Sequence, residues 1–386
     1  MENHAFSRRT FLKMAAGTAV GAALFSMPAL SLAKETGKSL SKQDLTPIAY
    51  SQIPSDAQAC AKASKLISRN YAYILDQARQ LQDGWLRDTV CTMIQHPTPT
   101  FMQEYTSSAS ISLLYAKLSA AGLVDTSKID KEHLLPPYTG KVQPFMTAPG
   151  SGYGSHHPYP GGLATHVSAN VHITQGIIHT YEDVFCYDGH TDMALAGQLL
   201  HDIMKPFVFQ WQPDGSSLKE YTIAGQGAHH VISIAESMYR SLPPEEVVAQ
   251  ACAHGAPTDA KGEADVVAWL KAAALMAQKD PVAYGVLNKM GNGLPSPHHQ
   301  EGYIVHLGDH DWVLSSPAGQ KTSALLKKIA VQQYGMSESD SQGAKFNYFK
   351  NYAESQLSCM YLNMLQAEPD GERLVAQAVG KVIIPS

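Results

Sequence analysis

Leu199-Leu200-His201-Asp202-Ile203-Met204-Lys205-Pro206 is the stretch on which the reading of this sequence turns. It closes an apolar run from Asp192 to Met204 whose spacing predicts a helix. Pro206 marks its end, because proline cannot continue the backbone hydrogen-bond ladder. An imidazole and a carboxylate side by side at the end of an apolar helix must find partners. A cation is one such partner. His supplies a nitrogen, and the two oxygens of Asp can bridge two ions. Mixed nitrogen and oxygen ligands suit Mn, Fe, Co, Ni or Zn better than Mg or Ca alone.

Further histidines fall at predicted helix ends on either side. His166 follows Gly161-Gly162 at the start of a helix expected over Leu163 to Thr180, on one face with Asn170, Ile173 and Ile177. His229-His230 and His254 belong to helices expected over Ala228 to Arg240 and Pro244 to His254. Pro243-Pro244-Glu245-Glu246 starts the second of these, with proline and acids in its first turn. About one ligand per helix is how a metal site in a helical bundle is assembled.

The rest of the chain is read more coarsely. Helical spacing runs from about Ala57 to Ile94, from Phe101 to Leu123, from Glu263 to Lys279, and over most of Ser323 to Val379. Lys131 to Gly162 holds Pro136, Pro137, Pro144, Pro149, Pro158 and Pro160 with six glycines, and reads as a long loop. Tyr303 to Leu314 reads as a hairpin turning at Gly308-Asp309. Strand alternation then puts Tyr303, Val305 and Leu307 on one face and His306 on the other, so His306, His310 and Asp311 are expected in solvent. The class is all-α with a small β-hairpin. The expected divisions are 1–33, 34–135, 136–285 and 286–386.

Of the 386 residues, 44% are hydrophobic and 16% charged, which excludes disorder as the default. Arg8-Arg9-Thr10-Phe11-Leu12-Lys13, an apolar run from Met14 to Leu30, and Ser31-Leu32-Ala33 give a basic region, an apolar region and a cleavage site in order. The arginine pair resembles a twin-arginine export signal. Residues 1–33 are therefore expected to be removed by way of the twin-arginine machinery, leaving a periplasmic protein without a stable membrane anchor. Removing them takes the formal net charge from −5 to −7. An acidic chain has no global field favouring nucleic acid, and no nucleic-acid partner is expected. Cys60, Cys91, Cys186, Cys252 and Cys359 form no CxxC pair, and buried thiols are expected.

The order His, His-Asp, His, His, Asp resembles the HD superfamily of metal-dependent phosphohydrolases. Gly161-Gly162-Leu163-Ala164-Thr165-His166 looks like that family's entry motif, and Leu199 to Lys205 like its centre. Gly227 to Gly255 looks like its following helix pair. His156 to His166 is also similar to HD exoribonucleases. The resemblance covers about residues 155–281 and implies a helical bundle, of about five core helices, around the metal. Met204 stands where the family usually has Gly. The closing Asp usually follows an Ala late in the last core helix, a register that gives Ala277-Gln278 and then Lys279-Asp280. Gln278 shares the polar face of Lys271, whereas Asp280 follows Trp269, Ala273 and Met276, so Asp280 is the expected ligand.

The resemblance implies one or two divalent transition-metal ions. His166, His201, Asp202 and Asp280 would hold the first, and His229 (or His230) with His254 the second, Asp202 bridging. The metal would activate a water to attack a nucleotide or small phosphoester, with Lys205 on the phosphate. His156 and His157 are candidate substrate contacts. Asp202, Lys205 and His229 are the candidate catalytic residues. Two other readings use the same ligands: an HD-type di-iron oxygenase, and a non-catalytic metal-binding or sensory module.

Overall fold

Short polar side chains set where the first helices begin. The computed structural model describes residues 45–152, 154–296 and 300–385. After strand β1 (Ile48–Ala49), Asp56 accepts from the N–H groups of Gln58 and Ala59 to open α1 (Ala57–Ala63). Ser64 does the same for Ile67 in α2 (Lys65–Arg79), and Asp83 for Leu86 in α3 (Gly84–Gln95). Each cap satisfies donors that a helix start leaves unpaired. Ser107 opens α4 (Ser108–Ala120). Residues 121–152 and 154–161 then form a long loop that contains most of the one expected over Lys131 to Gly162, with one 3-10 turn at Phe145–Thr147.

The middle of the chain is helical: α5 (Gly162–Phe185), α6 (Thr191–Leu200), α7 (Lys205–Val208), α8 (Ala228–Tyr239), α9 (Pro244–Ala251), α10 (Ala260–Met276) and α11 (Pro281–Tyr284). A two-residue antiparallel ladder, β2 (Thr222–Ile223) with β3 (Gln226–Gly227), precedes α8. The remaining helices are α12 (Glu301–Gly308), α13 (Trp312–Tyr334), α14 (Ala344–Leu357), α15 (Cys359–Gln366) and α16 (Gly371–Gly380). Strand β4 (Ile383–Ile384) pairs parallel with β1 and ties the two ends of the described chain together. The all-α class is therefore correct.

Helix α6 sits at the centre. Every residue from Ala194 to Leu200 is buried, and α5, α9 and α12 all pack against it. Full burial of a side chain such as Leu199 contributes about 1.5–3 kcal/mol. One hydrophobic core joins Ile67, Leu86 and Phe101 of the N-terminal segment to Leu163, Leu199, Val231 and Leu270. A second gathers Leu326, Phe349, Leu362 and Val379 of the C-terminal helices with Cys60.

The hairpin expected over Tyr303 to Leu314 does not form. Its first half is α12, and burial falls at Glu301, Gly302, Ile304, Val305 and Gly308, the three-and-four spacing of a helix face. Gly308 is required by close packing: a Cβ there would stand 2.0 Å from Thr174 Oγ1 and 2.3 Å from Gln198 Oε1. The chain turns at residues 309–311 and enters α13.

The five cysteines are free, and Cys60, Cys252 and Cys359 are buried as expected. Among the described residues no helix is long and apolar enough to cross a membrane. The export signal expected over residues 1–33 lies outside the described residues.

Candidate metal centre

Five helix ends deliver side chains to one point. His166 is the fifth residue of α5, whose start is pressed against the preceding loop: a Cβ on Gly162 would lie 2.0 Å from the His157 carbonyl oxygen. His201 caps the end of α6, and Asp202 sits in the helical turn leading into α7. Met204, where a glycine was expected, has φ −98° and ψ 5°, a conformation open to any residue. Pro206 lies inside the first turn of α7 rather than ending α6. His229 is the second residue of α8, and His254 lies in the turn after α9. The fifth end is the turn after α12, which contributes Asp309.

The contacts are short and mutual. Asp202 Oδ2 is 3.1 Å from His166 Nε2 and 3.1 Å from His201 Nε2. Its Oδ1 is 3.4 Å from His229 Nε2 and 3.9 Å from His254 Nε2. Asp309 Oδ1 is 3.1 Å from His166 Nε2 and 3.3 Å from His201 Nε2, and its Oδ2 is 3.4 Å from His254 Nε2. Among the described residues three donor clusters result, His166 with His201 and Asp309, Asp202 with His229 and His254, and beside them His157 with His166 and Asp311, each with its ligand atoms within 4.8 Å of one another. Asp202 contacts residues of the first two.

The tautomers are set from outside. His166 Nδ1 donates to Asp311 Oδ1 at 2.7 Å, His201 Nδ1 to the Gln198 carbonyl at 2.7 Å, and His229 Nδ1 to Glu220 Oε1 at 2.6 Å. In each ring this turns Nε2 inward, as in histidines that ligate metals. Asp202 Oδ1 and His229 Nε2 are buried without a hydrogen-bond partner, while Asp202 Oδ2 pairs with the Lys205 ammonium. Buried groups of this kind are normally satisfied, so the donor set fits one or two cations.

Burial alone would lower the pKa of His166 and His201. The facing carboxylates outweigh it, holding His166 well above the usual imidazole range and His201 at about 9. Burial opposes ionisation of Asp202 and Asp309 too, but His201 and its neighbours keep both carboxyls far below their ordinary value. His254 and His230 are pushed down by burial and by neighbouring imidazoles, His230 to about 3. The carboxylates of Asp202, Asp309 and Asp311 thus gather around His166 and His201, and burial keeps His254 and His230 neutral. The side chains of His229 and His254 are 9% and 15% exposed, against 1% or less for His166, His201 and Asp202. The centre therefore opens on the His229–His254 side.

The structure corrects several expectations. Asp280 does not reach the cluster. It is exposed, and its carboxylate caps α11 by accepting from Val282 and Ala283 N–H. Gln278 is exposed as well. The closing carboxylate is Asp309, which follows a helix rather than ending α10. His230 spends Nε2 on the Ala251 carbonyl and stacks on His254, with ring centroids 4.3 Å apart, so His229 is the cluster member. Lys205 does not face out towards a substrate. Its ammonium is buried 2.5 Å from Asp202 Oδ2 and donates to the Gly150 carbonyl, because a buried carboxylate draws the nearest cation. His157 is also closed off, with Nε2 on Asp311 at 2.7 Å and Nδ1 near the Tyr159 hydroxyl. His156 is partly buried, its ring 4.5 Å from that of His166, and its Nδ1 has no partner. His306 and His310 are half-buried rather than in solvent, with Nδ1 on the carbonyls of Ala253 and His306.

The sequence reading missed Asp309 and Glu220 and placed Asp311 in solvent. The spacing of Glu301, Ile304, Val305 and Gly308 was the available signal: read as a helix, it brings Asp309 and Asp311 to a helix end, as His201-Asp202 are.

Over 100 residues, 26% of this chain and 39% of the other protein, the sequence is 33% identical to the dihydroneopterin 2',3'-cyclic phosphate phosphodiesterase of Methanocaldococcus jannaschii. The chain thus spans well under half of that relative's length. No family model matches the chain. No solved structure matches it.

Proposed function

We propose that this chain is a metal-dependent phosphohydrolase of the HD type. The observation that carries this reading is the convergence of His166, His201, Asp202, His229, His254 and Asp309 on one point, with Asp202 Oδ1 and His229 Nε2 buried and without a hydrogen-bond partner. His166, His201, Asp202 and Asp309 would hold one transition-metal ion, and Asp202, His229 and His254 a second. When bound, such ions act as Lewis acids that lower the pKa of water and offset charge on phosphoryl oxygens. The protein's own groups do the rest. Asp311, the Gln198 carbonyl and Glu220 fix the ring orientations, and Lys205 balances Asp202. His156, beside His166 with its Nδ1 buried and unpartnered, is the proposed substrate contact.

The substrate class is a phosphoester. Similarity to a protein that acts on a 2',3'-cyclic phosphate favours a cyclic phosphodiester over a monoester, and favours hydrolysis over an oxygenase or a purely sensory site. Metal analysis of the protein folded in its native host, followed by turnover of a panel of cyclic phosphodiesters, linear diesters and monoesters, tests the reading. Metal content of one or two ions and hydrolysis of at least one class are expected, with both lost in Asp202→Asn. An Asp202→Asn protein with full metal content and turnover would overturn it.

We also propose that residues 1–33 direct export by the twin-arginine route to the periplasm. Replacing Arg8 and Arg9 by lysine should then leave the protein in the cytoplasm, read by fractionation.

A further inference from the structure

Asp311 stands at the N-terminal cap of α13, where an aspartate usually accepts from the first N–H groups of the helix. Here its side chain makes no cap bond. One oxygen accepts from His166 Nδ1 at 2.7 Å and the other contacts His157 Nε2 at 2.7 Å. The carboxylate is only 12% exposed. A group that gives up a helix cap to hold two buried imidazoles is placed for those imidazoles.

His157 is itself fixed. Its backbone has φ 45°, the left-handed region that a non-glycine residue adopts only when its surroundings impose it. Its Nδ1 lies 3.1 Å from the Tyr159 hydroxyl and 3.8 Å from Cys359 Sγ. The loop that carries it is pinned by α14, through Lys350 Nζ to the Pro158 carbonyl at 3.1 Å and Ser355 Oγ to the Pro160 carbonyl at 2.7 Å.

We infer that Asp311 is a positioning residue for the metal centre, holding His166 with Nε2 turned to the cation, and that His157 acts only through Asp311. This rests on the metal-dependent reading above. It adds that the C-terminal helices, through the 155–160 loop and the start of α13, set the geometry of a ligand on α5. Groups that orient a ligating histidine in this way typically change metal affinity about 10–100-fold when removed.

The test is a double-mutant cycle on purified, metal-stripped protein, with Mn(II) and Zn(II) as probes and calorimetric Kd as the readout. Thermal melting of each metal-free variant is run alongside. Asp311→Ala should weaken binding about 10–100-fold, and Asp311→Asn, which can still accept from His166 Nδ1, should recover part of that loss. His157→Gln should lose less than Asp311→Ala, and the double variant no more than Asp311→Ala alone. A merely structural Asp311 would lower the melting temperature and leave Kd unchanged, and that result overturns the inference, as does a fully additive cycle. If Asp311→Ala does not fold, the Asp311→Asn and His157→Gln affinities decide, and wild-type values for both overturn it. A wild-type protein that binds neither ion overturns the metal-dependent reading and this inference with it. Tight wild-type binding with unchanged variants overturns the positioning role alone.

Discussion

Asp309 Oδ1 lies 3.1 Å from His166 Nε2, so a carboxylate from the turn after α12 meets an imidazole from the start of α5. Asp280, which the sequence reading favoured for that role, caps α11 instead. The two aspartates should therefore behave oppositely. Asp309→Asn, which keeps size and shape, should remove metal from the purified protein and abolish turnover. Asp280→Ala should keep metal and activity and cost only about 1 kcal/mol of stability, as loss of a helix cap does. Elemental analysis and urea titration of the two variants check the pair.

Lys205 is the buried ammonium beside Asp202. Removing one partner of a buried ion pair leaves an uncompensated charge, at about 3–5 kcal/mol. Lys205→Met should therefore destabilise the metal-free protein strongly. Added Mn(II) should restore more stability to this variant than to wild type, because a cation can take over the charge balance. Denaturant curves with and without metal read this difference.

Gly308→Ala places a Cβ where Thr174 and Gln198 already stand. Overpacking of this kind costs about 1–3 kcal/mol. Because Gly308 precedes Asp309, the same shift should weaken metal binding. A lower urea midpoint together with a raised Kd is expected. A variant with both values unchanged would show that α12 is free to move away from α5 and α6.

Glu246 is fully buried in α9, both its oxygens lack partners, and burial raises its carboxyl to about 8. The folded protein thus holds this proton between pH 4.5 and 8, where the unfolded chain releases it. The associated stability is complete below about pH 4.5 and is lost as pH rises to about 8. Glu246→Gln carries no such proton, so its stability curve should be flatter. At pH 8.5 the variant should be the more stable form, by up to about 5 kcal/mol. Melting temperatures from pH 5 to 9 give the comparison.

Much of this was legible because helices write their period into the sequence. The spacing around His166, His201-Asp202, His229 and His254 is strong, and those four helix ends were found. The closing carboxylate was not, for a physical reason. Tyr303, Val305 and Leu307 alternate like a strand, while Ile304, Val305 and Gly308 repeat like a helix, and a segment this short satisfies both patterns. Tertiary packing of Gly308 into α5 and α6 decides between them. The inward turn of Lys205 was equally hidden. A lysine three residues after the aspartate reads as free to meet a phosphate, and only the burial of the turn after α6 makes it a counter-ion.

The chain order of the proposed ligands has a consequence for biosynthesis. His166, His201, Asp202, His229 and His254 leave the ribosome first, but Asp309, and Asp311 behind His166, are made later. On the proposed reading, a nascent chain that has emerged only through α11 would carry an open half-site, able to sample ions without enclosing them. Synthesis of α12 and the turn after it closes the centre. A metal held as proposed would therefore be chosen late, after α12 is made, among the ions available in the compartment where the chain folds.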